Sequence, residues 1–414
     1  MAGLSKTYRT PGKVPYDGHP VKDFAENTMK LNPVFADRPH SIFPTMSALA
    51  RRHGAINLGQ GFPDEDGPAP LLRAASDALV AGPNQYVPVE GIPALRQAVA
   101  AAHQRFYGID LDPDTNVVVT AGATEGLAAA FLAFCAPGDE VIFLSPFYEC
   151  YAPQAEAAGA LCRFVSLTPP HWRIDESALR AAISPRTKLV VINTPHNPTG
   201  HVMDEDELEI VARVARDHDL IVLCDEVYEH MVFDGRPHLP LMAFEGMAER
   251  CVRFGSAGKT FSVTGWRIGY ASGPASLIEP LNKAHQFLAY TSPGHLQQAV
   301  AQGLGFDNDY FGGLTRGMQD RRDLLSDQLS RAGFDVLPCE GTYFLSVDIR
   351  SVGRDDDRAF CAEITEHAKV AAVPVSAFYH PSEENVPKDL ARFCFAKKPG
   401  ILTEAARRLA TYFR

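Results

Sequence analysis

The sequence has no long apolar run, no signal-peptide core and no surplus of positive charge. No apolar stretch approaches the ~18–20 residues that span a bilayer, and the first forty residues are polar and rich in proline and glycine. A formal net charge of −11 argues against a nucleic-acid or anionic-membrane surface. We therefore expect a cytoplasmic protein that binds neither nucleic acid nor membrane.

The arrangement of cysteine and glycine excludes two further classes of protein. None of the eight cysteines stands in a Cys-x-x-Cys pair, and several lie in apolar runs, as Cys224 does. Buried free thiols explain this pattern better than disulfides or a zinc site, and we expect no metal. No Gly-x-Gly-x-x-Gly opens a helix with an acid about 20 residues later, so a nicotinamide-dependent dehydrogenase lacks support.

The sequence does contain a regular alternation of short β-branched runs and helical stretches, which begins near residue 117. This alternation predicts an α/β fold with a mostly parallel sheet, and such sheets bind ligands at the carboxyl ends of their strands. Amphipathic segments predict helices at residues 204–217 and 317–332. The last hundred residues predict a smaller α+β domain.

These patterns also predict a division of the chain. We expect an N-terminal arm with part of the small domain at residues 1–60, a large domain at 61–305 and a C-terminal small domain at 306–414. The first forty residues of this division are expected to form a mobile or draped arm.

Two of the predicted parallel strands, residues 188–193 and 220–224, run into polar residues where they end. Asn197 follows the first strand in an Asn-Pro-Thr-Gly turn, and Asp225 and Tyr228 follow the second. Each feature alone is weak, because such turns close many loops and an Asp after a strand is commonly a helix cap. One strand–helix–strand crossover separates them, however, so the three side chains can meet at one edge of the sheet.

Lys259 stands among small residues, with Ser256 before it and Arg267 after it. Such a lysine suits neither a core nor a solvated helix face, but it can hold an amine beside a phosphorylated cofactor. The turn at residues 120–126 links a strand to a helix whose first amides form an anion site, although many such turns carry no ligand. Ser256 and Arg267 can add a hydroxyl and charge-assisted hydrogen bonds to a phosphate.

Arg392 lies in an apolar strand, where alternation places it on one face with Cys394 and puts the neighbouring phenylalanines on the other. A buried arginine needs an anionic partner. A substrate carboxylate held by both arms of the guanidinium is one such partner, and a structural salt bridge is the alternative.

Together these segments resemble the class I/II aminotransferases from about residue 40 onward, and in particular the branch of kynurenine aminotransferase (glutamine transaminase K) and bacterial methionine aminotransferase. The resemblance implies pyridoxal phosphate (PLP) as the cofactor, PLP fold type I and a homodimer with active sites at the subunit interface. The segments that carry it are Ile56-Asn57-Leu58-Gly59-Gln60-Gly61-Phe62-Pro63-Asp64, Asn84-Gln85-Tyr86, Asn193-Thr194-Pro195-His196-Asn197-Pro198, Asp225-Glu226-Val227-Tyr228, Gly255-Ser256-Ala257-Gly258-Lys259-Thr260-Phe261, Gly341-Thr342-Tyr343-Phe344 and Arg392-Phe393-Cys394-Phe395.

The chemistry of PLP then assigns catalytic roles. Lys259 would form the aldimine, and its pKa must fall below the ordinary value of ~10.4 before the amine can also move protons. Asp225 would keep the pyridine nitrogen protonated, so that the ring can accept electrons. Tyr228 and Asn197 would hydrogen-bond the phenolic oxygen of the ring.

The resemblance implies the remaining contacts. Either Tyr148 or Phe147 would stack on the ring, and Tyr148 is the better placed of the two, since Phe147 can instead belong to the core. The other implied contacts are backbone contacts to the phosphate at Ala123 and Thr124, a contact from Tyr86 to the phosphate of the partner subunit, and substrate contacts at Gly61, Asn197 and Arg392.

We therefore expect an aminotransferase that moves an amino group from an L-amino acid of aromatic, kynurenine, methionine or glutamine type to a 2-oxo acid by ping-pong exchange. An N-succinyldiaminopimelate aminotransferase and a cysteine-S-conjugate β-lyase are the alternatives. Tyr290 and Thr291 replace the Phe-His of the kynurenine enzymes at positions that the neighbouring subunit would contribute, which weakens the case for kynurenine. A PLP-sensing regulator is disfavoured, because the segment before the family similarity has no helix-turn-helix pattern.

Overall fold

The computed structural model describes residues 31–36, 38 and 40–414. The first thirty residues, and with them most of the predicted N-terminal arm, lie outside the described residues. The described residues up to Arg38 belong to a unit of their own, which contains the one-turn helix Pro33–Ala36. All other described residues belong to a second unit, which contains the sheets.

The largest sheet has seven strands in the order β2-β8-β7-β6-β5-β3-β4, with only β8 antiparallel to its neighbours. This mostly parallel sheet confirms the predicted α/β fold. The strands of the described chain are β1 (Ile56–Asn57), β2 (Val117–Thr120), β3 (Glu140–Ser145), β4 (Leu161–Ser166), β5 (Thr187–Asn193), β6 (Ile221–Asp225), β7 (Cys251–Ser256), β8 (Gly269–Ser272), β9 (Asp335–Val336), β10 (Phe344–Asp348), β11 (Val370–Ala371), β12 (Val373–Pro374) and β13 (Leu390–Cys394).

Two smaller sheets come mainly from the last hundred residues. One is antiparallel, with the strand order β12-β13-β10-β9. In the other, β1 pairs in parallel with β11, so Ile56 lies opposite Val370. The chain near residue 56 is therefore joined to its C-terminal part.

Helices flank these sheets, and none of those in the described ranges is both long and apolar enough to cross a membrane. The helices are α1 (Pro33–Ala36), α2 (Ile42–His53), α3 (Ala69–Ala81), α4 (Pro93–Tyr107), α5 (Ala123–Phe134), α6 (Tyr151–Ala157), α7 (Glu176–Ala181), α8 (Glu205–Asp217), α9 (Ala257–Thr260), α10 (Ala275–Leu288), α11 (Gly294–Leu304), α12 (Asn308–Arg331), α13 (Asp357–Glu363) and α14 (Pro399–Tyr412).

The central strands of the large sheet are buried on both faces, which explains their continuous apolar sequence. On β5, Leu189 and Val191 face one hydrophobic cluster, whereas Val190 and Ile192 face another. Side chains of α5 and α10 belong to the first cluster, and side chains of α8 belong to the second. The sheet is thus the middle of three layers, and its carboxyl edge is left open for a site.

Helix α8 confirms its prediction, since Asp204 caps it and exchanges hydrogen bonds with Glu207 in a capping box. The helix predicted at residues 317–332 begins earlier, because α12 starts at Asn308. There the carboxylate of Asp307 accepts a hydrogen bond from the amide of Tyr310, and Phe311 is buried. The cap at Asp307 and the burial of Phe311 outweigh the low helix propensity of the two glycines at 312–313. Because of these glycines, the sequence predicted the start of the helix too late. Cys224, Cys251, Cys361 and Cys394 are buried free thiols, as predicted, whereas the other four cysteines are only partly buried.

Candidate active site

A cavity of about 290 Å³ opens at the carboxyl edge of the large sheet, beside the smaller antiparallel sheet. All the predicted site residues except Tyr86 line it. The lining residues are Phe43, Gln60, Gly61, Phe62, Ala123, Thr124, Leu127, Tyr148, Tyr151, Asn193, Asn197, Asp225, Val227, Tyr228, Ser256, Lys259, Arg267, Phe344 and Arg392.

Strand pairing brings the polar residues after β5 and β6 together. Asn193 lies opposite Asp225 in the parallel register, and its Nδ2 donates to the backbone carbonyl of Asp225 at 2.8 Å. The Oδ1 atom of Asn193 accepts the backbone N–H of Asn197, also at 2.8 Å. The buried side-chain amide of Asn193 therefore holds the backbone at Asp225 and at Asn197, on both sides of the cavity floor.

Asp225 is buried and is held by neutral donors. The hydroxyl of Tyr151 donates to its Oδ2 atom, and the backbone N–H of Val227 donates to Oδ1 at 3.3 Å. Burial raises the pKa of Asp225 to about 6, against the two hydrogen bonds and the charge of Lys259. Within the described part of the chain, no basic side chain forms an ion pair with this carboxylate, so it is suited to a cationic ligand group.

Lys259 enters the cavity from α9, the short helix after β7. Its Nζ donates to the hydroxyl of Tyr343 at 2.9 Å, and that hydroxyl donates to the carbonyl of Gly61 at 2.6 Å. Burial lowers the pKa of Lys259 to about 8; Asp225 opposes this shift and Arg267 adds to it. A larger neutral fraction of the amine is therefore present near neutral pH than for an exposed lysine.

The N-terminus of α5 and Arg267 form an anion cradle. Gly122 precedes α5 with φ +78°, and a Cβ there would lie only 2.7 Å from Nη2 of Arg267. Arg267 itself has φ +55°, a left-handed conformation that non-glycine residues rarely adopt. Ser256, at the end of β7, lines the same end of the cavity. Helix amides, a hydroxyl and a guanidinium thus converge where a phosphate can bind.

At the other end of the cavity, Arg392 is buried without a carboxylate partner among the described residues. Its Nη1 donates to Oδ1 of Asn197 at 2.6 Å and its Nη2 to the carbonyl of Gly59 at 3.0 Å, whereas Nε has no partner. The guanidinium carbon lies 3.7 Å from the centre of the Phe344 ring. Burial lowers the pKa of Arg392 to about 10. Its surroundings therefore favour an incoming anion over the structural salt bridge considered from the sequence.

Tyr86 is the one predicted site residue outside this cavity. It is 82% exposed, and its ring meets the ring of Tyr290 edge to face at 5.1 Å between centroids. Phe287, three residues before Tyr290 in the chain, is 87% exposed. The structure therefore places Tyr86 in an exposed aromatic group rather than against the cavity of its own chain.

Sequence reasoning missed two tyrosines that contact the predicted catalytic groups. Tyr343 lies in one of the segments that carried the resemblance, but its bond to Lys259 depends on how the two sheets meet. Tyr151 is the first residue of α6, three residues after Tyr148 in the preceding loop, and its bond to Asp225 depends on the direction in which that helix leaves the loop.

The donor set fits PLP: an unpaired buried carboxylate, a buried lysine and an anion cradle face one cavity, with an orphaned guanidinium nitrogen for a carboxylate. Fold and site define a PLP-dependent enzyme of fold type I. The chain belongs to the family "Aminotransferase class I and II", which it matches over residues 53–409, and it is a PLP-dependent transaminase.

Individual relatives support this assignment. The chain is 47% identical over 383 residues to the "Probable N-succinyldiaminopimelate aminotransferase DapC" of Mycobacterium tuberculosis, covering 90% of this chain and 96% of that one. The solved structure of the M. tuberculosis N-succinyldiaminopimelate aminotransferase has a TM-score of 0.90 over 92% of this chain and 100% of that chain. Methionine aminotransferase of Escherichia coli is 41% identical over 369 residues, covering 89% and 95%.

Proposed function

We propose that this transaminase acts on L-amino acids with long side chains, with N-succinyldiaminopimelate as the first candidate and methionine as the second. The observation that carries the proposal is the orientation of the cavity: Arg392 anchors one end, and Phe43 and Phe62 form aromatic walls. Among the described residues, the lining contains no cation beyond Lys259, Arg267 and Arg392 that could select a short dicarboxylic acid. The identity to the M. tuberculosis relative favours the first candidate, whereas aromatic walls suit the thioether of methionine.

The residues around the cavity divide the work of holding the cofactor. PLP, when bound, supplies an aldehyde that captures amines and a ring that accepts electrons. Asp225 holds the proton of the pyridine nitrogen, and Tyr228 and Asn197 donate to the phenolic oxygen. Tyr148, which lines the cavity, would stack on the ring. The phosphate is held by the first amides of α5 at Ala123 and Thr124, the hydroxyl of Ser256 and the guanidinium of Arg267.

Lys259 moves the proton in this mechanism. With a pKa of about 8, roughly one amine in ten is neutral at pH 7, so Nζ can accept the proton from the substrate Cα and return it. The hydroxyl of Tyr343 holds the released amine, because it lies within hydrogen-bond distance of Nζ. Tyr343 is in turn fixed by the carbonyl of Gly61, so the amine stays aimed into the cavity.

Arg392 and Asn197 bind the α-carboxylate of the substrate, and Gly61 adds a backbone contact. The Nε atom of Arg392 is buried and unpaired, so a carboxylate would complete its hydrogen bonding. Anchoring the carboxylate orients the Cα–H bond toward Lys259, which is the positional requirement of the reaction.

The proposal includes a homodimer with shared active sites, in which Tyr86 reaches the phosphate bound by the partner. The exposed Tyr86 and Tyr290 rings contact each other, and Val80 and Phe287 are also exposed, which supports an interface, since contiguous exposed apolar groups mark interaction sites. The chain division at residues 1–60, 61–305 and 306–414 is part of the same proposal. It is supported by the pairing of β1 with β11. A cytoplasmic location also belongs to it.

A half-reaction screen tests the substrate class. The holoenzyme is mixed with each of the twenty amino acids, kynurenine or N-succinyldiaminopimelate, and the loss of the cofactor absorbance band is followed without any oxo acid. Long side chains should convert the enzyme fastest, and 2-oxoglutarate should restore the band. A preference for aspartate would contradict the proposal, and catalytic release of pyruvate from a cysteine conjugate without exchange would favour the β-lyase.

Mixed dimers test the sharing of sites. Tyr86→Ala and Lys259→Ala subunits are each expected to be strongly impaired, but a dimer of one of each regains one intact site. Random mixing should therefore restore activity at about a quarter of all sites. Mixtures that stay as inactive as their components, although native mass spectrometry shows dimers that contain one subunit of each variant, would rule out the proposed sharing of Tyr86.

A further inference from the structure

We propose that Tyr151 is a positioning residue, which keeps the carboxylate of Asp225 ionised and aligned toward the ring nitrogen of the cofactor. This inference rests on the proposed role of Asp225 and deepens it. Tyr151 is the first residue of α6, its side chain is buried, and its hydroxyl donates to Oδ2 of Asp225.

Three aromatic neighbours fix the orientation of the Tyr151 ring. It stacks nearly parallel to Phe143 and Phe147, at interplanar angles of 19° and 17°. It also meets Tyr148 edge to face, with 5.9 Å between the ring centroids. Because these rings hold the Tyr151 ring in place, the position of its hydroxyl oxygen is set before any ligand enters. The same side chain thereby contacts both the carboxylate and the aromatic proposed to stack on the cofactor.

The electrostatic surroundings of Asp225 make this hydrogen bond important. Asp225 and the neighbouring Glu226 are both buried carboxylates, and Arg253 pairs with Glu226 rather than with Asp225. Among the described residues, the carboxylate of Asp225 accepts hydrogen bonds from two neutral donors and forms no ion pair, and the charge of Lys259 adds to these bonds in offsetting its desolvation. A hydrogen bond to the charged form of a carboxylate favours that form. Without the hydroxyl, the proton shared with the ring nitrogen would move toward the carboxylate, and the ring would lose its positive charge.

Tyr151→Phe isolates the hydroxyl, because it leaves the stacked rings in place. Tyr412→Phe is the matched control, since it removes another tyrosine-to-carboxylate hydrogen bond, to Glu363 at 2.9 Å, near the C-terminus. Both proteins, the wild type and Asp225→Asn are loaded with PLP labelled with ¹⁵N in the ring. The ¹⁵N chemical shift then reports whether the ring nitrogen carries a proton.

We expect a protonated nitrogen in the wild type and the control, and a signal displaced toward the unprotonated position in Tyr151→Phe. The maximal rate constant of the half-reaction should fall about 10- to 100-fold in Tyr151→Phe, which corresponds to the loss of one hydrogen bond to a charged group. The substrate concentration that gives half of this rate should be nearly unchanged. Replacement of Tyr151 by 3-fluorotyrosine retains the hydroxyl and should restore the wild-type signal.

The outcomes separate the two levels of the inference. A wild-type ¹⁵N signal in Tyr151→Phe, with the signal lost in Asp225→Asn, overturns the role of Tyr151 and leaves that of Asp225 intact. An unchanged signal in Asp225→Asn overturns the proposed role of Asp225 itself. If the fluorotyrosine protein behaves like the phenylalanine variant, packing rather than the hydroxyl is responsible, and the inference is again wrong.

Discussion

Arg392 donates a 2.6 Å hydrogen bond to Asn197, although 195 residues separate the two in the chain. Arg392 lies on β13 of the small antiparallel sheet, whereas Asn197 follows β5 of the large one. In the proposed mechanism Asn197 contacts the cofactor and Arg392 the substrate. The bond between them therefore couples recognition of the two molecules.

Arg392→Lys should weaken substrate binding far more than cofactor binding. Lysine keeps the charge but loses the planar fork that holds a carboxylate with two hydrogen bonds. We expect KM for both the amino acid and the oxo acid to rise about 10- to 100-fold in steady-state assays. Arg407→Lys, at an exposed pair with Glu404, serves as the control. An unchanged KM would remove Arg392 from the substrate site.

Lys259→Ala should abolish turnover, with a loss of at least about 10²-fold expected from the removal of a positioned general base. Mass spectrometry after borohydride reduction should show no covalently bound cofactor in this variant. Lys283→Ala removes an exposed lysine and should match the wild type in both measurements. Cofactor found covalently attached to the Lys259→Ala protein would place the reactive amine elsewhere.

The lowered pKa of Lys259 predicts how cofactor capture depends on pH. Only the neutral amine attacks the aldehyde, so the rate at which the apo-enzyme takes up PLP should rise with pH and level off above about 8. Stopped-flow absorbance from pH 6.5 to 10.5 measures this rate, with Nα-acetyl-lysine as the reference amine. A rate that keeps rising toward pH 10, as for the reference, would show that burial does not lower this pKa.

Gly122→Ala should weaken PLP binding more than its backbone strain explains. The new Cβ would lie 2.7 Å from Nη2 of Arg267, so the guanidinium must move away from the anion cradle. Gly138→Ala is a matched control, because Gly138 also has positive φ (+93°) but faces open space. We expect a rise in the PLP dissociation constant of about tenfold or more for Gly122→Ala only. Equal effects of both changes would show that the cradle tolerates the methyl group.

His201 predicts a loss of stability at alkaline pH. It lies 2.9 Å from Glu207 and 3.0 Å from Glu340. Burial lowers its pKa, but the two carboxylates outweigh burial and raise the pKa to about 9. A raised folded-state pKa stabilises the protein fully below the ordinary value of ~6.5, and this contribution is lost as pH rises through about 9.

His201→Gln should remove this pH-dependent contribution, which is about 3 kcal/mol. Denaturation midpoints at pH 6 and pH 10, at fixed protein and cofactor concentrations, measure it. The variant should be less stable than the wild type at the lower pH and closer to it at the higher. His53→Gln, which alters a pair at 3.9 Å, provides the comparison. A constant difference between variant and wild type would contradict the raised pKa.

The cavity residues that follow strands could be predicted because apolar runs show where buried strands end. Asp225 and Asn197 were found in this way, and β13 places Arg392 in the register that alternation suggested. The contacts of Tyr151 and Tyr343 could not be predicted, because they depend on the angle of a helix and on how two sheets meet. The start of α12 was missed for a different reason. Its N-terminal cap and the burial of Phe311 stabilise the first turns more than the low helix propensity of the glycines destabilises them.

The hydrogen bond from Lys259 to Tyr343 joins a residue that precedes the long helix α12 in the chain to one that follows it. A protease that cut the chain ahead of α12 would leave Lys259, Asn197 and Gly61 in one fragment, and Tyr343 and Arg392 in the other. Neither fragment could process an amino acid alone. Activity recovered on mixing the purified pieces would therefore measure how well the severed halves reassemble.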